Sequence, residues 1–364
     1  APKIESFIKK IQYTNESYIV QKFLKKDELL IEKGEVIGFS GNTGGSSGPH
    51  LHFEIREKKS QKPINPLLYN LPVYDNQRPL IQKLFIFYPN KNQILPHIQT
   101  IQLNRTNDSL YETAKIETTG KIGLGIQMFD RQDLSYSKNG VYSTKVIVNG
   151  KVISHYKFDK LIINESKKLY HIIDYKSYAQ KRLKIFKLFY SEDVKLNFMN
   201  SLIDNGLFEI ELGKSYQVLV ETEDFSGNKS IIETYIEGIE NERKQLKLKG
   251  ELIETDQDYL YSYKNKEVYF PKNTFFETVK IEILENEDEI EIGPNFFPVA
   301  KPYEIKFNFN ETDSLKRIQT FIAKKTKKSL IYLTTQLNKN YLTAEINELG
   351  TYTFARDSIA PSVV

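Results

Sequence analysis

The residues best placed to do chemistry are His50 and His52. They stand one residue apart, directly behind a glycine-rich run, in a chain of 364 residues with five histidines and no cysteine. Without thiolates, a transition-metal site must be built from His, Asp or Glu. In a strand, residues two apart share a face, so a strand starting at His50 would point His50, His52 and Glu54 the same way. At a rise near 3.3 Å per residue, the two imidazoles stand about 6.6 Å apart along the strand. At that spacing one ring can bind a metal ion while the other exchanges a proton with its water. Leu51 and Phe53 then face the opposite side and pack into a core. A bare His-x-His is by default a surface pair with no role. The loop in front of it argues otherwise, because its glycines let the backbone reach positive φ and approach a substrate closely.

The other titratable groups read as structure. His155 and Asp159 have the His-x-x-x-Asp spacing of a ligand pair, but they lie far downstream, just past a hairpin signal at Asn149-Gly150. His171 and Asp174 read as sandwich structure. His97, behind Pro96 and with no carboxylate near it in sequence, reads as ordinary surface. The acidic run Glu285-Asn286-Glu287-Asp288-Glu289 lacks the Asp and Gly spacing of a calcium loop and reads as solvated. Lys324-Lys325-Thr326-Lys327-Lys328 reads as a solvated turn rather than a contact for an anionic glycan or lipid headgroup.

A mostly β chain must position these residues. Tyr (23) and Phe (22) are abundant, and β-branched residues alternate with polar ones, as in Lys145–Val148 and Tyr216–Val220. Turn signals at Asn149-Gly150, Asp204-Asn205-Gly206 and Ser226-Gly227-Asn228 divide the runs at a spacing that suits β-sandwiches. Ile4 to Ile11, apolar at 4, 7, 8 and 11, predicts a short amphipathic helix. The length suits two or three domains. Lys and Arg (51) nearly balance Asp and Glu (47), which excludes a strongly basic nucleic-acid binder. At 40% hydrophobic residues the chain is too apolar to be disordered, and no apolar run approaches the roughly 20 residues of a membrane span. Glu240-Asn241-Glu242-Arg243-Lys244 reads as a linker. Asp357-Ser358-Ile359-Ala360-Pro361 echoes Asp75-Asn76-Gln77-Arg78-Pro79, which suggests that a further sandwich follows. The start at Ala1, with no Met and no signal peptide, reads as a processed or truncated end.

Gly41-Asn42-Thr43-Gly44, the block Ser47-Gly48-Pro49-His50-Leu51-His52-Phe53-Glu54-Ile55-Arg56 and the closing Asn65-Pro66 closely resemble the C-terminal half of lysostaphin-type (LytM-like) zinc metallopeptidases. The preceding Lys33-Gly34-Glu35-Val36-Ile37-Gly38 fits as well. That family cuts peptides of the bacterial cell wall. The resemblance implies that His52 binds Zn²⁺, that His50 assists proton transfer, and that Gly41, Asn42, Thr43 and Gly44 form a substrate loop. The zinc would lower the pKa of bound water and polarise the scissile carbonyl. The family also requires an upstream His-x-x-x-Asp and a further His, and none of these occurs between Ala1 and Pro49. The expectation is therefore a missing N-terminal half. The tail resembles longer envelope members in which sandwich domains follow the peptidase, a likeness that rests on Ile173-Asp174-Tyr175 and Asp224 to Asn228.

The expected architecture is mainly β. Part of an antiparallel-β peptidase domain spans 1–70, an immunoglobulin-like β-sandwich 71–239, a second sandwich 246–356, and a further segment starts at 357–364. The expected function is that of an exported peptidoglycan zinc metalloendopeptidase in the periplasm or at the outer membrane or cell surface. Its partners would be peptidoglycan peptides and, through the sandwiches, an envelope or outer-membrane complex. The rival reading is a non-catalytic peptidase-fold scaffold or regulatory subunit in such a complex. A carbohydrate-binding sandwich is disfavoured, because the chain has no Trp to stack on a sugar.

Overall fold

The computed structural model describes residues 2–42, 48–89, 95–159, 169–190, 196, 198–241, 243 and 248–359. It divides into two compact units, 1–55 and 56–364.

In the first unit the helix Pro2–Asn15 forms where the apolar spacing predicts it. The strand expected from His50 does not form a ladder, and residues 36–39, apolar enough for a strand, form none either. Gly41 and His50 make a single antiparallel bridge, and regular strand begins only at Ile55. Leu51 is 82% exposed and Phe53 59%, where the alternation predicts a core. The reason is a missing context. A strand is held by neighbouring strands and by an apolar layer packed on its face. Among the described residues of 2–55, none is buried.

The second unit contains two sandwiches. The larger sheet of the first runs in the order Met199–Leu202, Lys151–Lys157, Ser143–Val148, Ser215–Glu223, Lys229–Gly238, Leu110–Glu112, Asn104–Arg105. Its facing sheet runs Phe186–Lys187, Gly120–Phe129, Leu80–Tyr88, His97–Ile101. Alternation is strict where it matters. Val218, Val220, Ile232 and Ile236 point inward and meet Leu84, Ile86, Ile122, Leu124 and Ile126 from the other sheet in one core. Asn149 (φ 46°) and Gly150 (φ 77°) make the left-handed turn that this dipeptide predicts between Ser143–Val148 and Lys151–Lys157. Lys229–Gly238 pairs in parallel with Leu110–Glu112 and with Ile116–Thr118, which no local signal foretells. On the outer face, Phe85, Phe87, Ile185 and Phe189 pack over Gly125. A Cβ there would sit 2.5 Å from the Phe87 ring, so only glycine leaves room.

The second sandwich is antiparallel throughout. One sheet runs Glu251–Ile253, Val279–Glu285, Glu289–Gly293, Gly350–Arg356, Thr320–Lys325, Leu330–Tyr332. The other runs Tyr259–Ser262, Lys266–Phe270, Tyr303–Asn308, Tyr341–Ile346, Thr335–Leu337. The core is built from Val268, Phe270, Ile290, Ile292, Ile305, Phe307, Ile322, Leu342 and Tyr352. The two sandwiches touch through Tyr170 and His171, whose rings lie 5.7 and 5.1 Å from that of Phe276. The charged linker is not freely solvated. Glu242 and Lys244 lie outside the described residues, but the Arg243 guanidinium sits 4.0 Å over the Tyr88 ring and donates to Thr118 Oγ1 and Thr119 O.

The acidic run at 285–289 also departs from a plain solvated loop. Lys266 is 1% exposed, and its ammonium donates to the carbonyls of Asn286 (2.6 Å) and Glu287 (3.0 Å) and to Asn265 Oδ1 (2.9 Å). Glu285 Oε2 is 3.5 Å away. A buried ammonium must be satisfied, and this loop satisfies it. Lys266→Met keeps the stem and strips the donors from those acceptors. It should cost about 2–4 kcal/mol in urea unfolding and speed amide exchange at Asp288 and Glu289. A loss below about 0.5 kcal/mol would show that the clamp is not stabilising.

Candidate functional site

The His50 N–H donates to Gly41 O (3.3 Å), and His50 Nδ1 lies 3.0 Å from Gly48 O. A carbonyl only accepts, so in the neutral ring Nδ1 carries the proton and Nε2 carries the lone pair. His52 Nε2 lies 2.8 Å from Glu54 Oε1. The carboxylate accepts, so the neutral His52 has its lone pair on Nδ1. His52 and Glu54 thus meet on one side, as the two-residue spacing predicts, although no regular strand holds them. Their side chains are 72% and 30% exposed, so the pair is screened and weak. A carboxylate on the far nitrogen of a histidine is also the usual device for fixing a metal-binding ring. Gly41 takes part in the bridge to His50, and Asn42 is exposed. Thr43 and Gly44 lie outside the described residues.

A catalytic zinc takes three protein ligands. Among the described residues, no group of three His, Asp or Glu side chains gathers around His50 or His52, so residues 2–55 do not fit zinc by themselves. The group that does gather is Asp75, Asp130 and Asp224, in the first sandwich. Sequence reasoning missed it. Asp75 and Asp224 each open a turn, and that shared position was the available signal.

The His155/Asp159 pair serves the fold. His155 Nε2 lies 3.1 Å from Ser143 Oγ across the sheet. Burial, then Lys145 and Lys157, hold its pKa below the usual histidine value. Asp159 accepts from the Tyr142 hydroxyl, and its backbone carbonyl accepts the Asn65 N–H at 3.0 Å. Asn65 closes the peptidase-like motif. Its Oδ1 caps the short helix Pro66–Tyr69 at Leu67 N–H (3.1 Å), and its Nδ2 donates to Phe158 O (3.4 Å). Asp174 caps the helix Tyr175–Lys181 at Ser177 N–H, 3.0 Å away. His97 is half-buried at the start of a strand, 5.6 Å from the Tyr88 ring, rather than plain surface. In the basic turn, Lys324 pairs with Glu348 at 2.6 Å and Lys325 with Glu289.

Two family models match the chain. Residues 10–66 match peptidase family M23, and residues 250–357 match a Zu5-like domain. A stretch of 42 residues is 52% identical to the DD-carboxypeptidase/endopeptidase Mpg of Neisseria meningitidis serogroup B, covering 12% of this chain and 9% of that protein. An uncharacterized metalloprotease of Haemophilus influenzae is 45% identical over 53 residues, 15% of this chain and 11% of the relative. The peptidoglycan DD-endopeptidase ShyA of Vibrio cholerae is 39% identical over 54 residues, 15% of this chain and 12% of the relative. The chain thus spans only 9 to 12% of the length of these relatives. The resemblance to the lysostaphin-type peptidases holds over this segment.

Asp159→Ala separates the two roles of the His155/Asp159 pair. It removes the acceptor of Tyr142 and should cost about 1 kcal/mol in stability. Zinc content, measured by atomic emission on wild type and variant together, should be identical. Zinc lost from the variant would make Asp159 a ligand.

Proposed function

We propose that the chain is part of an exported zinc metalloendopeptidase that hydrolyses peptide bonds in cell-wall peptidoglycan. The observation that carries the reading is the block Gly48-Pro49-His50-Leu51-His52 inside the segment that matches peptidase family M23. The names of the relatives, a DD-carboxypeptidase/endopeptidase and a peptidoglycan DD-endopeptidase, support a cell-wall substrate. An enzyme of this kind acts outside the cytoplasm, in the periplasm or at the cell surface.

In this reading His52 is one zinc ligand, with Glu54 fixing its ring from the opposite nitrogen. His50 handles the proton, since Nδ1 faces the Gly48 carbonyl and Nε2 is the basic atom. The glycine loop Gly41 to Gly44 admits the substrate backbone. The reading requires zinc ligands beyond those of residues 2–55. The two sandwiches position the peptidase or bind partners in the envelope.

The test uses protein with a complete peptidase domain. His52→Ala should release zinc and abolish digestion of purified peptidoglycan. His50→Ala should retain zinc and slow digestion by about 10²–10⁴-fold. Zinc retained in both variants would refute the ligand assignment. Zinc bound by wild type without release of any peptide would favour the scaffold.

A further inference from the structure

The first sandwich brings three aspartates to one point. Asp75 precedes the strand Leu80–Tyr88, Asp130 follows Gly120–Phe129, and Asp224 opens the turn between Ser215–Glu223 and Lys229–Gly238. One carboxylate oxygen from each lies within 4.8 Å of the other two. Asp130 is 5% exposed and Asp224 2%. The basic groups adjacent in sequence make their contacts away from the three carboxylates, and Arg131 Nε is buried with no acceptor among the described residues. Arg78 donates to Lys229 O (3.0 Å), Lys229 lies 3.6 Å from Glu223, and the Arg131 guanidinium covers the Phe129 ring. Among the described residues no Lys or Arg forms an ion pair with any of the three aspartates.

Three clustered carboxylates, two buried and Asp75 half-buried, repel one another without a counter-charge. Burial, then the charges of Asp224 and Asp75, push the Asp130 carboxyl up to about 7. The hydrogen bonds orient two members of the group and leave one oxygen of the third without a donor. Asp224 accepts from Asn228 at both oxygens, N–H at 2.8 Å and Nδ2 at 2.7 Å. Asp75 Oδ1 accepts from Gln77 N–H at 3.0 Å. Asp130 Oδ1 is buried and accepts nothing among the described residues, while its carboxylate faces the other two. A buried carboxylate oxygen with no donor is costly unless something else fills its lone pairs. A half-open cavity of about 670 Å³ reaches the group, with Asp75 and Asp130 in its wall beside Gln132 and Asn139.

We propose that Asp75, Asp130 and Asp224 form a calcium site. The donor set is all oxygen, which selects a hard cation over zinc. The three oxygens, all within 4.8 Å of one another, are close enough to share one ion, and a set drawn from three separate turns suits calcium, which takes oxygens in flexible geometry, better than magnesium, which demands a near-ideal octahedron. The ion joins three places distant in sequence: the lead-in to the sandwich, the end of its central facing strand, and the turn of its longest hairpin. The lead-in is already tied there by Asn76 Nδ2 to Asp133 (2.8 Å) and Gln77 Nε2 to Gln132 O (3.1 Å). Calcium locks how the chain enters the sandwich. This inference is independent of the peptidase reading.

The test is thermal unfolding and calorimetric titration of the whole chain, stripped with chelator and then given CaCl₂, MgCl₂ or ZnCl₂. One Ca²⁺ should bind per chain and raise the melting temperature by several degrees, with Mg²⁺ weaker. Asp130→Asn should lose the calcium shift. In chelator it should melt at or above wild type, because the repulsion is relieved, and in calcium below it. That crossing is the signature of a ligand. If Asp130→Asn does not fold, Asp75→Asn serves in its place. His52→Ala should keep the full calcium shift, which separates this site from the histidine pair. No binding heat and no calcium-dependent shift in wild type would overturn the proposal, as would a shift that survives in both aspartate variants.

Discussion

Much of the first sandwich depends on how Asp224 is buried. The hairpin Ser215–Glu223 to Lys229–Gly238 is paired along its whole length, from Ser215–Glu237 to Glu223–Lys229. Closing it over Asp224 to Asn228 carries a carboxylate into the interior, where it must be satisfied. Asn228 does this from within the turn, and its Nδ2 also reaches the Asp75 carbonyl at 3.1 Å. The next links follow. Ser230 Oγ donates to Pro79 O at 2.6 Å, and Arg78 to Lys229 O at 3.0 Å. The turn therefore fixes where Leu80–Tyr88 begins, and that strand is the spine of the facing sheet.

The same stitching extends toward the peptidase-like segment. Asn65 is held by Phe158 and Asp159, and Asp159 is held by Tyr142. Asn65, Tyr142 and Asp75 line one cavity. The closing Asn-Pro of the motif is thus part of the sandwich wall.

Local chemistry was legible and long-range chemistry was not. Asn149-Gly150 announces its turn because few other dipeptides tolerate two positive φ values. His50 and His52 announce themselves by type, scarcity and the glycines before them. The failures share a cause. Val36–Phe39 has strand composition, but composition does not supply the neighbouring strands. The parallel pairing of Lys229–Gly238, the burial of Lys266 and the meeting of Asp75 with Asp130 and Asp224 all depend on partners far away in sequence. The aspartates were visible only as turn residues, because an Asp that opens a turn and an Asp that binds an ion look alike until the turns converge.

The exposure of His52 bears on what a working site needs. Charge stabilisation in catalysis is strong in dry surroundings and weak in water. His52 and Glu54 are hydrogen-bonded yet open to solvent, and the apolar residues around them, Phe39 (91% exposed), Leu51 and Phe53, are open too. Both conditions have one remedy. A strand ladder through 50–54 would turn Leu51 and Phe53 to a core and His50, His52 and Glu54 to the opposite side, because alternation leaves no other arrangement. The packing that buries the apolar residues is the packing that would aim the histidines into a shared cleft. If the histidines serve as proposed, folding of this segment and assembly of its site would be a single event.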